Sequence, residues 1–200
     1  MHTLKPQLLK AMAAAKKKTP VEVLDTRSRL IKAAAAEFCQ SGFAGTDTNR
    51  IARSAGFAPQ TFYRWFADKL EIFLAVYREW EDEERRSLSD LISHAAKVEQ
   101  LVQNIIAHHR DYRVFRRSLR QLAVENPLVR KARADSRIRQ IEQIALWSGA
   151  SQSWNDEHAL LLLQIERLAD AAAEDELADM GIAPQKANIA LAELITRLQG

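Results

Sequence analysis

Two short helical segments, 48–55 and 59–66, are separated by Gly56 and flanked by longer helices, and this spacing restricts the chain more than any other feature. Neither segment reaches the roughly 12–15 residues at which an isolated helix becomes marginally stable, so both must be held by neighbouring helices. The helix before them spans 26–41. Leu30, Ile31, Ala34, Ala35 and Phe38 recur there at spacings of three and four, and Gly42 stands where a helix stops. The helix after them begins behind Asp68, where Glu71 supplies the second half of a reciprocal cap, and runs through Phe73, Leu74, Tyr77, Leu88 and Leu91 to about Ala96.

Further helices are read at about 98–109, 111–124, 127–147, 156–179 and 185–199, with breaks at Asn126-Pro127, Gly149 and Gly181 to Pro184. No strand alternation and no repeat of fixed period occurs. The expected fold is all-α, with a three-helix head in residues 25–70 joined by a long helix to a helical body in 71–200. Residues 1–24, with five lysines, Pro6 and Pro20, read as a flexible basic arm.

Residues 46–66 meet the requirements of a helix-turn-helix. Thr46 or Asp47 can cap the bracing helix, Ile51 and Ala52 supply its buried contact, Gly56 makes the turn and Phe57 plugs the core. Pro59 suits the first turn of the second helix, where its fixed φ is already helical. At about 100° per residue, Phe62 and Phe66 face inward and leave Gln60, Thr61, Tyr63 and Arg64 on one outward arc. Duplex DNA gives each a task. Gln60 matches an adenine edge, Arg64 a guanine edge or a phosphate, and Thr61 a thymine methyl or a phosphate. Tyr63, Trp65 and Lys69 suit phosphate contacts that set register without reading sequence, and Thr46, at the start of the bracing helix, is a further DNA-contact candidate. The rival reading is a polar face between two core helices, which does not by itself bring cap, glycine, proline and outward arc together.

Charge distribution agrees. The net charge of +3 conceals an excess of six positive charges in residues 1–80 and of three negative charges in the remainder. No run reaches the 18 or so apolar residues of a membrane span. Lys10 interrupts the apolar stretch 8–15 and three lysines follow it, the wrong order for an export signal. Cys39 is the only cysteine, so no disulfide can form within the chain and a reducing, cytoplasmic setting is expected.

The run Gly42-Phe43-Ala44-Gly45-Thr46, then Ile51 to Phe57, then Thr61-Phe62-Tyr63-Arg64-Trp65-Phe66 with Asp68-Lys69 resembles the N-terminal domain of TetR/AcrR-family regulators over about 50 residues. The resemblance implies a sequence-specific homodimer on a palindromic operator, usually a repressor, with a small-molecule pocket in the C-terminal domain and a dimer interface made by the last two helices. Two features depart from the family pattern. Ala58 replaces a Ser or Thr, with loss of about 1 kcal/mol of capping. Gln60 and Trp65 stand where a small residue and a His or Tyr are usual, so no relative's operator can be borrowed.

Two apolar helices at the chain end, around Leu160 to Leu168 and Ala187 to Leu198, suit a four-helix interface between two copies, or burial within one chain. Between them and the head, residues 110–139 carry ten Lys or Arg against three acids. Those arginines admit two readings: a solvated face, or pairing with an anionic effector or with the acidic segment 156–179. Phe115, Arg116 and Trp147 are the candidate effector contacts. Adjacent His108 and His109 point about 100° apart and cannot chelate one metal together, so neither metal nor cofactor is expected. No nucleophile or histidine-carboxylate motif with useful spacing suggests an enzyme. The alternative to small-molecule control is control by a protein partner.

Overall fold

A computed structural model describes residues 25–93, 96–147 and 156–198, which exclude the basic arm, Gly149 and the side chain of Trp147. The head holds α1 (Thr26–Ser41), α2 (Thr48–Ser54) and α3 (Pro59–Tyr63), followed by the long α4 (Lys69–Ser93). The body adds α5 (Val98–Asp111), α6 (Arg113–Glu125), α7 (Pro127–Trp147), α8 (Asp156–Ala173), the single turn α9 (Glu176–Asp179) and α10 (Pro184–Leu198). The described residues contain no strand.

Local chemistry sets the helix ends. Asp25 caps α1 through Ser28 N–H at 2.7 Å, and Asp47 caps α2 through Arg50 N–H at 2.8 Å. Asp68 accepts from Glu71 N–H at 2.8 Å, while Glu71 reaches back one residue further than expected, to Ala67 N–H at 2.6 Å. Ala58 starts α3 without any side-chain cap. The expected helix 156–179 breaks at Asp175, which takes a left-handed φ of 62°. Asp tolerates that conformation through its short polar side chain, and no glycine or proline marked the break.

Two cores form. The first joins Leu30, Phe38, Ile51, Phe62, Phe66, Phe73 and Trp80 to Phe115, Leu119 and Ala123 of α6 and Val129 of α7. The second lies among α5, α8 and α10, with Leu101, Leu161, Ile165, Leu191 and Ile195 buried. Helix α6, deep in the body's sequence, is part of the head's core. Rings of Phe38 and Phe73 meet at 5.0 Å between centroids, and Phe73 and Phe115 at 4.8 Å. Phe43 N–H donates to Ser118 Oγ at 3.0 Å across the same seam. Gly42, at φ 68°, comes so near α6 that a Cβ there would stand 3.0 Å from Ser118 Oγ.

Candidate functional site

In the helix-turn-helix, Phe62 and Phe66 are buried while Gln60, Tyr63, Arg64 and Trp65 are exposed and Thr61 is half-buried. Helix α3 is shorter than expected, ending at Tyr63, yet Phe66 N–H still donates to Phe62 C=O at 3.0 Å. The turn is braced from α1: Arg29 donates to Ala55 C=O at 2.8 Å and its guanidinium lies 4.3 Å from the Phe57 ring centre. Gly56 supplies the turn's φ of 78° beside that same Arg29. Tyr63 OH shares a hydrogen bond of 2.9 Å with Thr48 Oγ1, which fixes the ring between the two helices.

Two residues expected at the DNA surface have other work in the free chain. Thr46 is 3% exposed, and its hydroxyl donates to Gly42 C=O at 2.8 Å. It ties the loop after α1 instead of capping α2, a task Asp47 takes. Lys69 Nζ donates to Phe43 and Thr46 C=O, both at 2.8 Å, and stands 4.2 Å from the Phe43 ring centre. Partial burial moves its pKa down from the usual lysine value. The ammonium thus closes the loop on the head, and only its remaining N–H can face a phosphate.

The body encloses a cavity of about 340 Å3 in the second core, toward the small end of the roughly 300–1,000 Å3 of ligand pockets. Its walls are aliphatic, with Leu88, Leu101, Ile105, Ile144, Leu162 and Ile195, and its polar lining comes from Glu84, Arg85, His109, Arg116, Gln140, Gln143 and Glu166. Of the expected effector contacts, Arg116 belongs to this lining. Phe115 does not: it is fully buried in the head core, because the neighbouring residue on α6 points some 100° away from Arg116.

Arg116 is 5% exposed and held by the acidic segment rather than by solvent. Its Nε donates to Asp170 Oδ1 at 2.6 Å, and its guanidinium lies 5.0 Å from the Trp80 ring centre. Asp170 also bonds His109 Nδ1 at 2.9 Å and has Arg120 Nη1 at 2.7 Å, an ion pair off the line of a hydrogen bond. Burial works against the carboxylate, but the His109 bond and the Arg116 charge outweigh it and hold Asp170 well below the usual carboxylate range. His109 is pushed down by burial and by Arg116. Sequence reasoning missed His109, Glu84 and Gln140. The spacing 80, 84, 88 on α4 points to Glu84 alone and does not distinguish a cavity wall from core, while His109 on α5 and Gln140 on α7 carry no such local signal.

The geometry defines a class: a helix-turn-helix head packed through α6 onto a helical body that contains a cavity. Residues 30–76 match the family model of bacterial regulatory proteins of the tetR family. The chain is similar to an uncharacterized HTH-type transcriptional regulator, YdgC, of Bacillus subtilis (strain 168), 33% identical over 69 residues, which are 34% of this chain and 35% of that protein. The match thus spans about a third of that relative's length. Beyond the head, the fold is similar to that of a TetR-family protein from Rhodococcus sp. (TM-score 0.63, 20% identity, 88% of this chain and 98% of that one). A protein from Saccharomonospora viridis solved in complex with choline is also similar (TM-score 0.62, 20% identity, 85% and 95%).

Proposed function

We propose that the protein is a homodimeric, sequence-specific transcriptional repressor whose grip on a palindromic operator is released by a small molecule in the α4–α8 cavity. The observation that carries this reading is the double role of α6. Its Arg116 lines the cavity while its Phe115, Ser118 and Leu119 lie in or against the core of the head. A ligand that repositions Arg116 acts on a helix the head cannot ignore, and two arrangements of α6 are the states whose populations a ligand would bias. The choline complex of the structural neighbour supports a small-molecule site in a body of this fold. No helix among the described residues is long and apolar enough to cross a membrane.

Dimerisation is supported by the chain's last helices. Leu160 and Leu163 on α8 and Ile189 on α10 are large, apolar and 41–59% exposed. Two copies joined there would set their α3 helices against successive major grooves, about 34–36 Å apart. Gln60 and Arg64 then read base edges while Tyr63 and Trp65 hold phosphates.

A mobility-shift assay on DNA upstream of the protein's own gene tests the reading. Binding is expected to be tight, salt-sensitive and sequence-specific. Tyr63→Ala should weaken it uniformly, whereas Gln60→Ala should relax preference at one base pair. Equal affinity for random DNA overturns it. Control by a protein partner would leave DNA binding intact and the cavity without ligand.

A further inference from the structure

We propose that the cavity takes a small aliphatic molecule bearing a protonated primary or secondary amine, whose N–H groups are bound by Glu84 and Gln140. The inference rests on the effector reading of the cavity and names the chemistry of its ligand.

The argument is one of unmatched acceptors. Each other carboxylate around the polar end has an arginine in contact: Glu81 has Arg139 at 2.9 Å, Glu166 has Arg137 at 2.6 Å, and Asp170 has Arg116. Glu84 has no such partner among the described residues. It is buried on α4, accepts one hydrogen bond from Gln140 Nε2 at 3.0 Å, and its other oxygen stands 3.9 Å from His109 Nε2, too far for a bond. Gln140 turns its NH2 toward Glu84, which fixes its amide orientation and leaves Oε1 buried without a donor. Both residues line the cavity. Gln140 Oε1 is buried without a donor, and Glu84 beside it is a buried carboxyl with no arginine in contact among the described residues, so this end of the apolar chamber favours a hydrogen-bond donor that carries positive charge.

The surroundings narrow the choice. A carboxylate ligand would meet Glu84 and Glu166, and Arg116 is already neutralised by Asp170. Arg85 also lines the cavity, but its side chain is 48% exposed and paired with Asp82. A quaternary ammonium would satisfy the charge of Glu84 and leave Gln140 Oε1 without a proton. The described lining contains no aromatic ring other than His109, and its walls are leucine and isoleucine, so the apolar part of the ligand is aliphatic rather than a stacked ring system. Burial, the largest influence, raises the Glu84 pKa to about 7. The charged groups facing it are Glu81 on its own helix, His109 on α5, Arg116 on α6, and Glu166 and Asp170 on α8. An ammonium arriving beside it would draw the carboxyl back to its ionised form.

Titration calorimetry on the protein, without DNA, is the test, using octylammonium, octyltrimethylammonium and octanoate at one ionic strength. Octylammonium should bind, with the quaternary analogue weaker and octanoate silent. Glu84→Gln keeps the shape and should weaken octylammonium by about tenfold or more, the scale of a lost charge-assisted bond. Ile105→Trp, which fills the chamber, should abolish binding. Octanoate binding as tightly as octylammonium, an unchanged affinity in Glu84→Gln, or silence from all three compounds would each overturn the proposal. Operator release is scored separately. Octylammonium that binds yet leaves DNA binding unaltered refutes effector control and keeps the ligand class, whereas release by octanoate does the reverse.

Discussion

Replacing Arg116 by Met removes the cation from a pair in which both side chains are at most 6% exposed. Breaking one partner of a buried ion pair costs about 3–5 kcal/mol, because the other charge stays behind uncompensated. Here Asp170 would keep His109 at 2.9 Å and Arg120 at 2.7 Å, and the Arg120 side chain is 30% exposed, so the residual charge is partly answered. The expected loss is therefore at the lower end, about 3 kcal/mol. For a chain of this length that is a fall in Tm of roughly 6–12 °C. Asp170→Leu should cost a comparable amount by stranding Arg116. The double variant puts two apolar side chains where the pair stood, and should be more stable than the sum of the singles by about 2 kcal/mol or more. Urea unfolding followed by circular dichroism, at one protomer concentration, gives all four free energies. A loss below about 1 kcal/mol in Arg116→Met, or strict additivity in the cycle, would refute the claim that this pair is a buried, coupled unit.

Three further outcomes are expected. Ala58→Ser adds the missing cap to α3 and should stabilise the head by about 1 kcal/mol in the same unfolding assay. Lys69→Met removes the ammonium donor from two loop carbonyls, of which Phe43 C=O keeps only the long bond from Thr46 N–H at 3.4 Å, and should destabilise by about 1–3 kcal/mol while quickening amide exchange in 43–47. His108 is driven by burial to a pKa of about 4, below its ordinary 6.5. Its unfolded form binds the extra proton between those values, so its share of stability is lost as pH falls from 6.5 toward 4. Glu84, raised by burial from 4.5 to about 7, acts in the opposite sense, its folded form holding the proton, so that its share grows as pH falls through 7. His108→Phe should accordingly gain in Tm over the parent on acidification, and Glu84→Gln should lose its advantage over the parent as the pH is lowered. Parallel curves for all three proteins would disprove both assignments.

The helix-turn-helix was legible because its determinants are local. Phe62 and Phe66 lie four residues apart, Gly56 needs a left-handed φ, and Asp47 and Asp68 sit directly before the helices they cap. Thr46 was misread for the same reason: a threonine one residue before a capping aspartate looks like a cap, and its burial depends on Gly42 and Glu37 across the loop. The body was legible as helices but not as a site. Arg116 shares its helix with Arg113, Arg117 and Arg120, and only Asp170, 54 residues away, selects the one that is buried. Phe115 looked like a pocket residue because nothing nearby in sequence reveals that α6 docks on Phe73. Asp175 broke a helix whose hydrophobic pattern carried straight through it.

Helix α3 is anchored by two rings and otherwise owes the fold little. Its inward Phe62, with Phe66 just beyond its end, holds position, while Gln60 and Arg64 are exposed. Substitutions at such surface positions usually change stability by less than about 0.5 kcal/mol. If Gln60 and Arg64 read bases as proposed, the preference for one operator over another can drift, or be redesigned, with almost no cost to folding. Tyr63 is the exception on that arc, since its bond to Thr48 would couple the proposed phosphate contact to how the two short helices stay together.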